Sequence, residues 1–318
     1  MSADASPYQG VILAAGHGAR MGPFGEQVPK PVVPICNKPL LAYHLDSMRR
    51  LGITDVVIVI GHLGHVITQT LGDGGAYGVR IRYVEQRQRL GIAHAVGQLE
   101  PYVDRPFVLF LGDIHFDTPE LTRLLTPFER DGASAVIAVK EETNPEAVKR
   151  NFSVMLRDDG TVRRVIEKPR HVPNMLKGCG LYLFDLPIFD AIRRTPRTAM
   201  RDEYELTDAI QILIDYEYPV RIAPAVEWDV NITYVGDLIE CCRHELARQG
   251  RTALVADTAR VAEGAILSET VVGGGAIVEN PIRLERCVVL PGARVDGDAA
   301  YEDTVFVGRS RLNAAHNV

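Results

Sequence analysis

The sequence predicts an α/β protein: a mostly parallel sheet with helices on both faces, followed by a short left-handed parallel β-helix. Three observations carry that expectation. Short β-branched runs alternate with amphipathic segments through roughly the first 245 residues, the rhythm of strand–helix–strand units. Glycines close those runs, as at Gly16, Gly61 and Gly112. Beyond about Gly250 the apolar residues recur every five or six positions between small turn residues, a period that suits neither helix nor flat strand.

Gly10 to Ala15 reads as a buried strand running into a glycine-containing loop. From Pro39 to Leu51, the residues Leu40, Leu41, His44, Leu45 and Met48 share one helical face, and Gly52 ends the helix. Val56 to Ile60 is the next strand, with a helix expected from about Leu63 to Leu71. Arg80 to Glu85 alternates like a strand, and Ile92 to Leu99 continues as helix. Phe107 to Leu111 is a buried strand that ends at Gly112 and Asp113. The pattern is Rossmann-like, and in such sheets ligands collect at the carboxyl ends of the strands. The Gly16 loop and Asp113 both fall there.

In the last part of the chain Val261, Leu267, Val272, Val278, Leu284, Leu290, Val295, Tyr301 and Val307 form the apolar series. Turn residues lie between them, including Gly273 to Ala276 and Pro291 to Ala293. A six-residue step with turns suits a coil whose flat sides each send one residue inward, in about three coils. The expected division is a catalytic domain over 1–248 and a hexapeptide-type β-helix with its tail over 249–318.

Composition narrows the function classes. A net charge of -6 over 318 residues offers no general attraction to nucleic acid or anionic membrane. The longest apolar runs are strand-length, far short of a bilayer span. Five cysteines, odd in number and without CxxC spacing, argue against zinc and against a disulfide framework. A cytoplasmic protein with reduced thiols is the expectation.

Ala15 to Pro31 carries the densest chemistry. Gly16 and Gly18 allow a tight turn and bring N–H groups against an anion, directly after a buried strand that supplies Ala14 and Ala15. Arg20 and Lys30 add fixed positive charge, and Lys30 lies between two prolines that limit its wandering. No Gly-Lys-Ser/Thr follows, so this is not a Walker loop, and the spacing does not fit a dinucleotide fingerprint.

These residues resemble the signature of the sugar-1-phosphate nucleotidyltransferases, also called nucleotide-sugar pyrophosphorylases. The resemblance continues in order along nearly the whole chain. Pro31 to Leu40 is similar to the segment after the signature, and Gln86 with Leu90 to Val96 resembles the base-reading loop. Leu111-Gly112-Asp113 resembles the metal-binding strand end, Glu167-Lys168-Pro169 the sugar-phosphate site, and Glu203 to Asp208 a segment near the sugar.

The resemblance implies that Asp113 binds Mg²⁺, and a carboxylate leaving a buried strand suits such a hard cation. It places the second ligand between Glu227 and Leu238. Counting back from Leu238 selects Asn231; counting from Trp228 favours Asp229. It further implies Arg20, Lys30 and Lys168 as catalytic cations, and Ala14, Ala15, Gly16, Gly18, Gln86 and Gly91 as nucleotide contacts. Glu167, Lys168, Gly180 and Arg201 would serve the sugar phosphate. Ala19, Gly25 and Ser153 depart from the family pattern.

The implied reaction joins a nucleoside triphosphate, most readily dTTP or UTP, to glucose 1-phosphate and releases pyrophosphate. The runner-up is a guanylyl- or cytidylyltransferase acting on another sugar or polyol phosphate, and a non-catalytic regulatory subunit is the third reading. The expected partners are the two small substrates and further copies of the chain, without nucleic acid or membrane.

Overall fold

Strand β1 (Gln9–Ala14) is buried along nearly its whole length, as a strand covered on both faces must be. It lies between β2 (Asp55–Ile60) and β4 (Phe107–Leu111), parallel to both, and β3 (Arg80–Glu85) continues the parallel set beyond β2. The register sets Ala14 beside Ile60, Leu13 beside Leu111 and Ile60 beside Glu85, so four strands end together. The computed structural model describes residues 6–16, 25, 28–199 and 201–314.

The other half of this nine-stranded sheet is mixed. It comprises β5 (Ala135–Glu141), β6 (Phe152–Leu156), β7 (Val162–Glu167), β8 (Leu176–Phe184) and β9 (Val220–Ala223). The long strand β8 runs antiparallel to β4, β5 and β6, β7 runs antiparallel to β6, and β9 lies parallel to β5. Gly180, with φ +73°, lies where the β8–β5 register shifts. Helices Pro187–Arg194 and Leu206–Asp215 bury Ile188, Phe189, Leu206, Ile210 and Leu213 in the same core as Phe107, Tyr182 and Phe184. The expected α/β, Rossmann-like architecture is present, with the parallel strands concentrated in the first half.

The chain divides into two compact units, one of Met1–Gly16 and His44–Asp229, the other of His17–Tyr43 and Val230–Val318. The sheet belongs to the first. The second contains a hairpin, Pro34–Ile35 with Lys38–Pro39, whose two turn residues Cys36 and Asn37 both have positive φ. Cys36 Sγ donates to the carbonyl of Cys242 on helix Val235–Arg248, and Asn37 Nδ2 donates to the carbonyl of Val272.

From Ala253 to Val307 the chain forms stacked parallel strands whose register partners lie 17 residues further on: Ala253↔Thr270, Ile266↔Arg283, Ile277↔Arg294, Val288↔Val305; Ser310–Asn313 then folds back antiparallel onto Thr304–Val307. A three-sided coil of 17 residues has one side a residue short of six. A uniform step of six drifts by one position per coil, which explains why the interior holds Val289 and Phe306, where the sequence series marked Leu290 and Val307. The short corner recurs as Glu269, Arg286 and Asp303, all at positive φ. There Arg286 donates to both carboxylate oxygens of Asp303, at 2.8 and 3.0 Å. Among the described residues no helix is long and apolar enough to cross a membrane.

Candidate functional site

The common carboxyl edge of β1 to β4 is where the first unit gathers polar chemistry. The Gly112 N–H donates to the Leu13 carbonyl at 2.8 Å, and a Cβ at Gly112 would lie 2.6 Å from that oxygen. Only glycine lets β1 and the end of β4 approach this closely. Asp113 follows at once, partly buried, before the chain turns into Ile114–Asp117. Ala14, Ala15 and Gly16 leave β1 at the same edge. Gly18 and Arg20 lie outside the described residues.

Gln86 leaves β3 at this edge, its N–H donating to the Ile60 carbonyl at 2.8 Å, and it is 8 % exposed. Its side-chain Nε2 lies 3.4 Å from Nδ1 of His94 on helix Ile92–Gly97. Gly91 precedes that helix with φ +108°, and a Cβ there would lie 2.4 Å from the Tyr204 carbonyl oxygen. The Tyr204 N–H donates to the Leu90 carbonyl at 2.7 Å, and its carbonyl accepts from the Ala93 N–H at 3.0 Å. The base-loop candidates and the 201–205 segment are therefore laced together through backbone.

That segment also reaches the sugar-phosphate candidates. Arg201 donates to Glu205 at 2.8 Å and to Glu167 at 3.3 Å, and Thr207 Oγ1 donates to the other oxygen of Glu167 at 3.3 Å. Lys168 Nζ stands 3.9 Å from Glu167. Burial, and then the neighbouring Glu205, push the Glu167 carboxyl above its ordinary range. Lys168 itself has φ 41° although it precedes Pro169, while its N–H donates to the Asn151 carbonyl at 2.7 Å. A left-handed lysine before proline is held at a cost of about 1–3 kcal/mol, the kind of strain that persists at ligand sites. Glu167, Lys168 and Arg201 thus form one group. Gly180 belongs to the bulge in β8, where a Cβ would press on Ile114 and Leu111. The aromatic residue beside it, Tyr182, is core, stacked between Phe152 and Phe184.

Asp229 is engaged by two ammonium groups. Lys177 Nζ bonds both carboxylate oxygens at 2.9 Å, and Lys140 Nζ lies 3.1 Å from one of them. Glu142 completes the set, 3.2 Å from Lys140 and 3.3 Å from Lys177. The Lys177 and Asp229 side chains are 4 % and 5 % exposed. In the second unit, Asn231 is exposed and its Oδ1 accepts from Thr233 Oγ1 at 3.4 Å. Lys30, also in that unit, opens a short 3₁₀ turn after Pro29, whose φ is -66°.

Among the described residues no three His, Cys, Asp or Glu side chains converge as a metal cage. A divalent ion held by few protein oxygens and completed by phosphate and water is the pattern Mg²⁺ favours. Asp113 fits that role, whereas the doubly neutralised Asp229 fits it poorly.

Two residues of this region escaped the sequence reading: Lys140 and Lys177. Lys177 carried a signal, a lysine in the otherwise small or apolar stretch Leu176–Phe184. His94 and Tyr204 lie inside the Leu90–Val96 and Glu203–Asp208 motifs, but the stacking of one ring on the other comes only from folding.

Comparison with known proteins gives a consistent picture. The family model described as nucleotidyl transferase matches residues 9–229. The low-salt glycan biosynthesis nucleotidyltransferase Agl11 of Haloferax volcanii is 37 % identical over 73 % of this chain; the chain spans 64 % of that relative's length. A glucose-1-phosphate thymidylyltransferase of Streptomyces antibioticus is 32 % identical, covering 94 % of this chain and 80 % of the relative. A crystal structure of UDP-glucose pyrophosphorylase complexed with UDP-glucose shares the fold, with a TM-score of 0.67 at 21 % identity. It covers 76 % of this chain and 99 % of its own.

Proposed function

The chain belongs to the nucleotidyl transferase family, and from that membership we propose that it transfers a nucleotidyl group to a sugar 1-phosphate, releasing pyrophosphate. The most favoured substrates are dTTP or UTP with glucose 1-phosphate. The observation that carries the reading is the grouping of Glu167, strained Lys168 and Arg201, laced through the 201–205 segment to the Gln86–Gly91 loop. One strap serves a phosphate-binding group and a base-binding loop, as a two-substrate reaction requires.

A sugar 1-phosphate is already a nucleophile, so no activated serine or cysteine is needed. One of its phosphate oxygens attacks the α-phosphorus of the triphosphate. A new P–O bond forms, the α–β bridging P–O bond breaks, and pyrophosphate leaves with that electron pair. The obstacle is repulsion between two anions, so catalysis consists of positioning and charge stabilisation. Lys168 and Arg201 hold the attacking phosphate, and Glu167 accepts hydrogen bonds from sugar hydroxyls. Lys30 and Arg20, with the backbone around Gly16 and Gly18, hold the triphosphate. Mg²⁺, when bound, supplies neutralising charge to the phosphates; Asp113 would hold it, with Asn231 as the second ligand.

On this reading residues 1–248 form the catalytic domain and the coil in 249–318 supports assembly with further copies of the chain in the cytoplasm. A panel of dTTP, UTP, GTP and CTP against several sugar 1-phosphates tests the assignment. Pyrophosphate release should be greatest with dTTP or UTP and glucose 1-phosphate, and Lys30→Ala should lower turnover by about two orders of magnitude. Preference for GTP or CTP would select the runner-up. No release with any pair would select the regulatory-subunit reading.

A further inference from the structure

We propose that His94 sets the base selectivity of the site by fixing which end of the Gln86 amide faces the nucleotide. The inference rests on Gln86 being the base contact and deepens that reading.

The Gln86 side chain has little freedom. Its backbone N–H is bound to Ile60, the residue is nearly buried, and Nε2 is directed at His94 Nδ1. An amide nitrogen only donates, so with Nε2 facing it Nδ1 takes the acceptor role, and the tautomer that carries its proton on the other ring nitrogen is the one the proposal uses. The imidazole is itself held. It stacks on Tyr204, with ring centroids 6.3 Å apart and planes at 23°. Tyr204 cannot shift, because its backbone bonds to Leu90 and Ala93 on either side of Gly91. The Arg197 guanidinium, 5.8 Å from the Tyr204 ring centroid, adds a further contact. His94 is thus a positioning residue: its ring draws Nε2 inward and turns Oε1 the other way.

The consequence is chemical. A carbonyl oxygen presented to a base requires a donor opposite it. Uracil and thymine offer N3–H, and guanine offers N1–H. Cytosine N3 and adenine N1 are acceptors and would meet Oε1 lone pair to lone pair. Where a site's polar group is left facing a mismatched edge, discrimination is strong. The arrangement selects keto bases over amino bases and speaks against the cytidylyl alternative.

The test is the ratio of kcat/KM for UTP to that for CTP, in wild type and in His94→Phe, His94→Gln, His94→Lys and Gln86→Leu, with melting temperatures recorded for each. In His94→Phe the ratio should fall by about tenfold or more, since the amide loses its orienting acceptor. His94→Gln, whose carbonyl can accept the same bond, should retain most of the preference. His94→Lys, a donor only, should turn the amide over and move the ratio further toward CTP. A wild-type ratio in folded His94→Phe, alongside a collapsed ratio in Gln86→Leu, overturns the role of His94 and leaves the base contact intact. An unchanged ratio in Gln86→Leu removes the base contact itself. Should His94→Phe not fold, the ratio retained in His94→Gln against the ratio lowered in His94→Lys decides the matter, and equal ratios in the two overturn the role of His94.

Discussion

At the scale of single residues, the site depends on groups held where they would not rest by themselves. Lys168 is held in the left-handed region, and Glu167 is held in burial beside Glu205. His44 shows a related constraint away from the chemistry. Its Nε2 bonds the Ile114 carbonyl at 2.8 Å and its ring stacks on Phe110 at 5.1 Å, immediately behind the turn that follows Asp113. Burial lowers its pKa from 6.5 to about 4, partly opposed by the bond to Ile114. The unfolded chain therefore takes up a proton below about pH 6.5 that the folded chain refuses until about pH 4. The stability linked to His44 is complete above the upper value and is lost as pH falls through that window. Thermal melts from pH 7 to 4.5 should show the decline, and His44→Gln, which can still donate to Ile114, should flatten it. An equal slope in both proteins would dissociate the decline from His44.

At the scale of elements, strands β5 and β8 bring Lys140 and Lys177 directly opposite one another, a pairing that repels unless charge is supplied. Asp229, and then Glu142, supply it. Removing one partner of a buried ion pair costs about 3–5 kcal/mol, because the other charge stays buried. Lys177→Met should therefore destabilise by about 3 kcal/mol in urea unfolding, and Lys177→Met with Asp229→Leu by clearly less than the two single losses together. Strict additivity would mean that the pair does not couple. Strands β1, β2 and β4 were readable because burial on both faces leaves an apolar run that needs no partner to be recognised. The coil was readable by its period but misplaced by a residue at Val289 and Phe306, since a short corner alters no residue type. Lys168 and Arg201 were readable only as family motifs; their grouping with Glu167 comes from folding. Lys177 is not assigned from the sequence because Asp229, which neutralises it, lies on another element, and His94 is legible only as a member of the base-loop motif because folding sets Gln86 and Tyr204 against it.

At the scale of the whole molecule, the second unit is assembled from two separated stretches of chain, His17–Tyr43 and Val230–Val318. The segment carrying Lys30 belongs to it, tied through Cys36 to the helix and through Asn37 to the coil. The coil and the helix before it are therefore structural support for the segment that carries Lys30. A chain ending at residue 248 should lose most of its turnover and melt at lower temperature, with the greater effect on the KM for the triphosphate. Unchanged kinetics in that truncated protein would reduce the coil to an appendage.

Two phosphates are joined in the proposed reaction, so the most direct measurement follows phosphorus. ³¹P spectra of the purified protein with Mg²⁺, UTP and glucose 1-phosphate should show a sugar-linked diphosphate and pyrophosphate growing in equal amounts, with neither appearing when the sugar phosphate is omitted. Pyrophosphate or orthophosphate appearing without the sugar phosphate would mean that water is the acceptor, and would contradict the account.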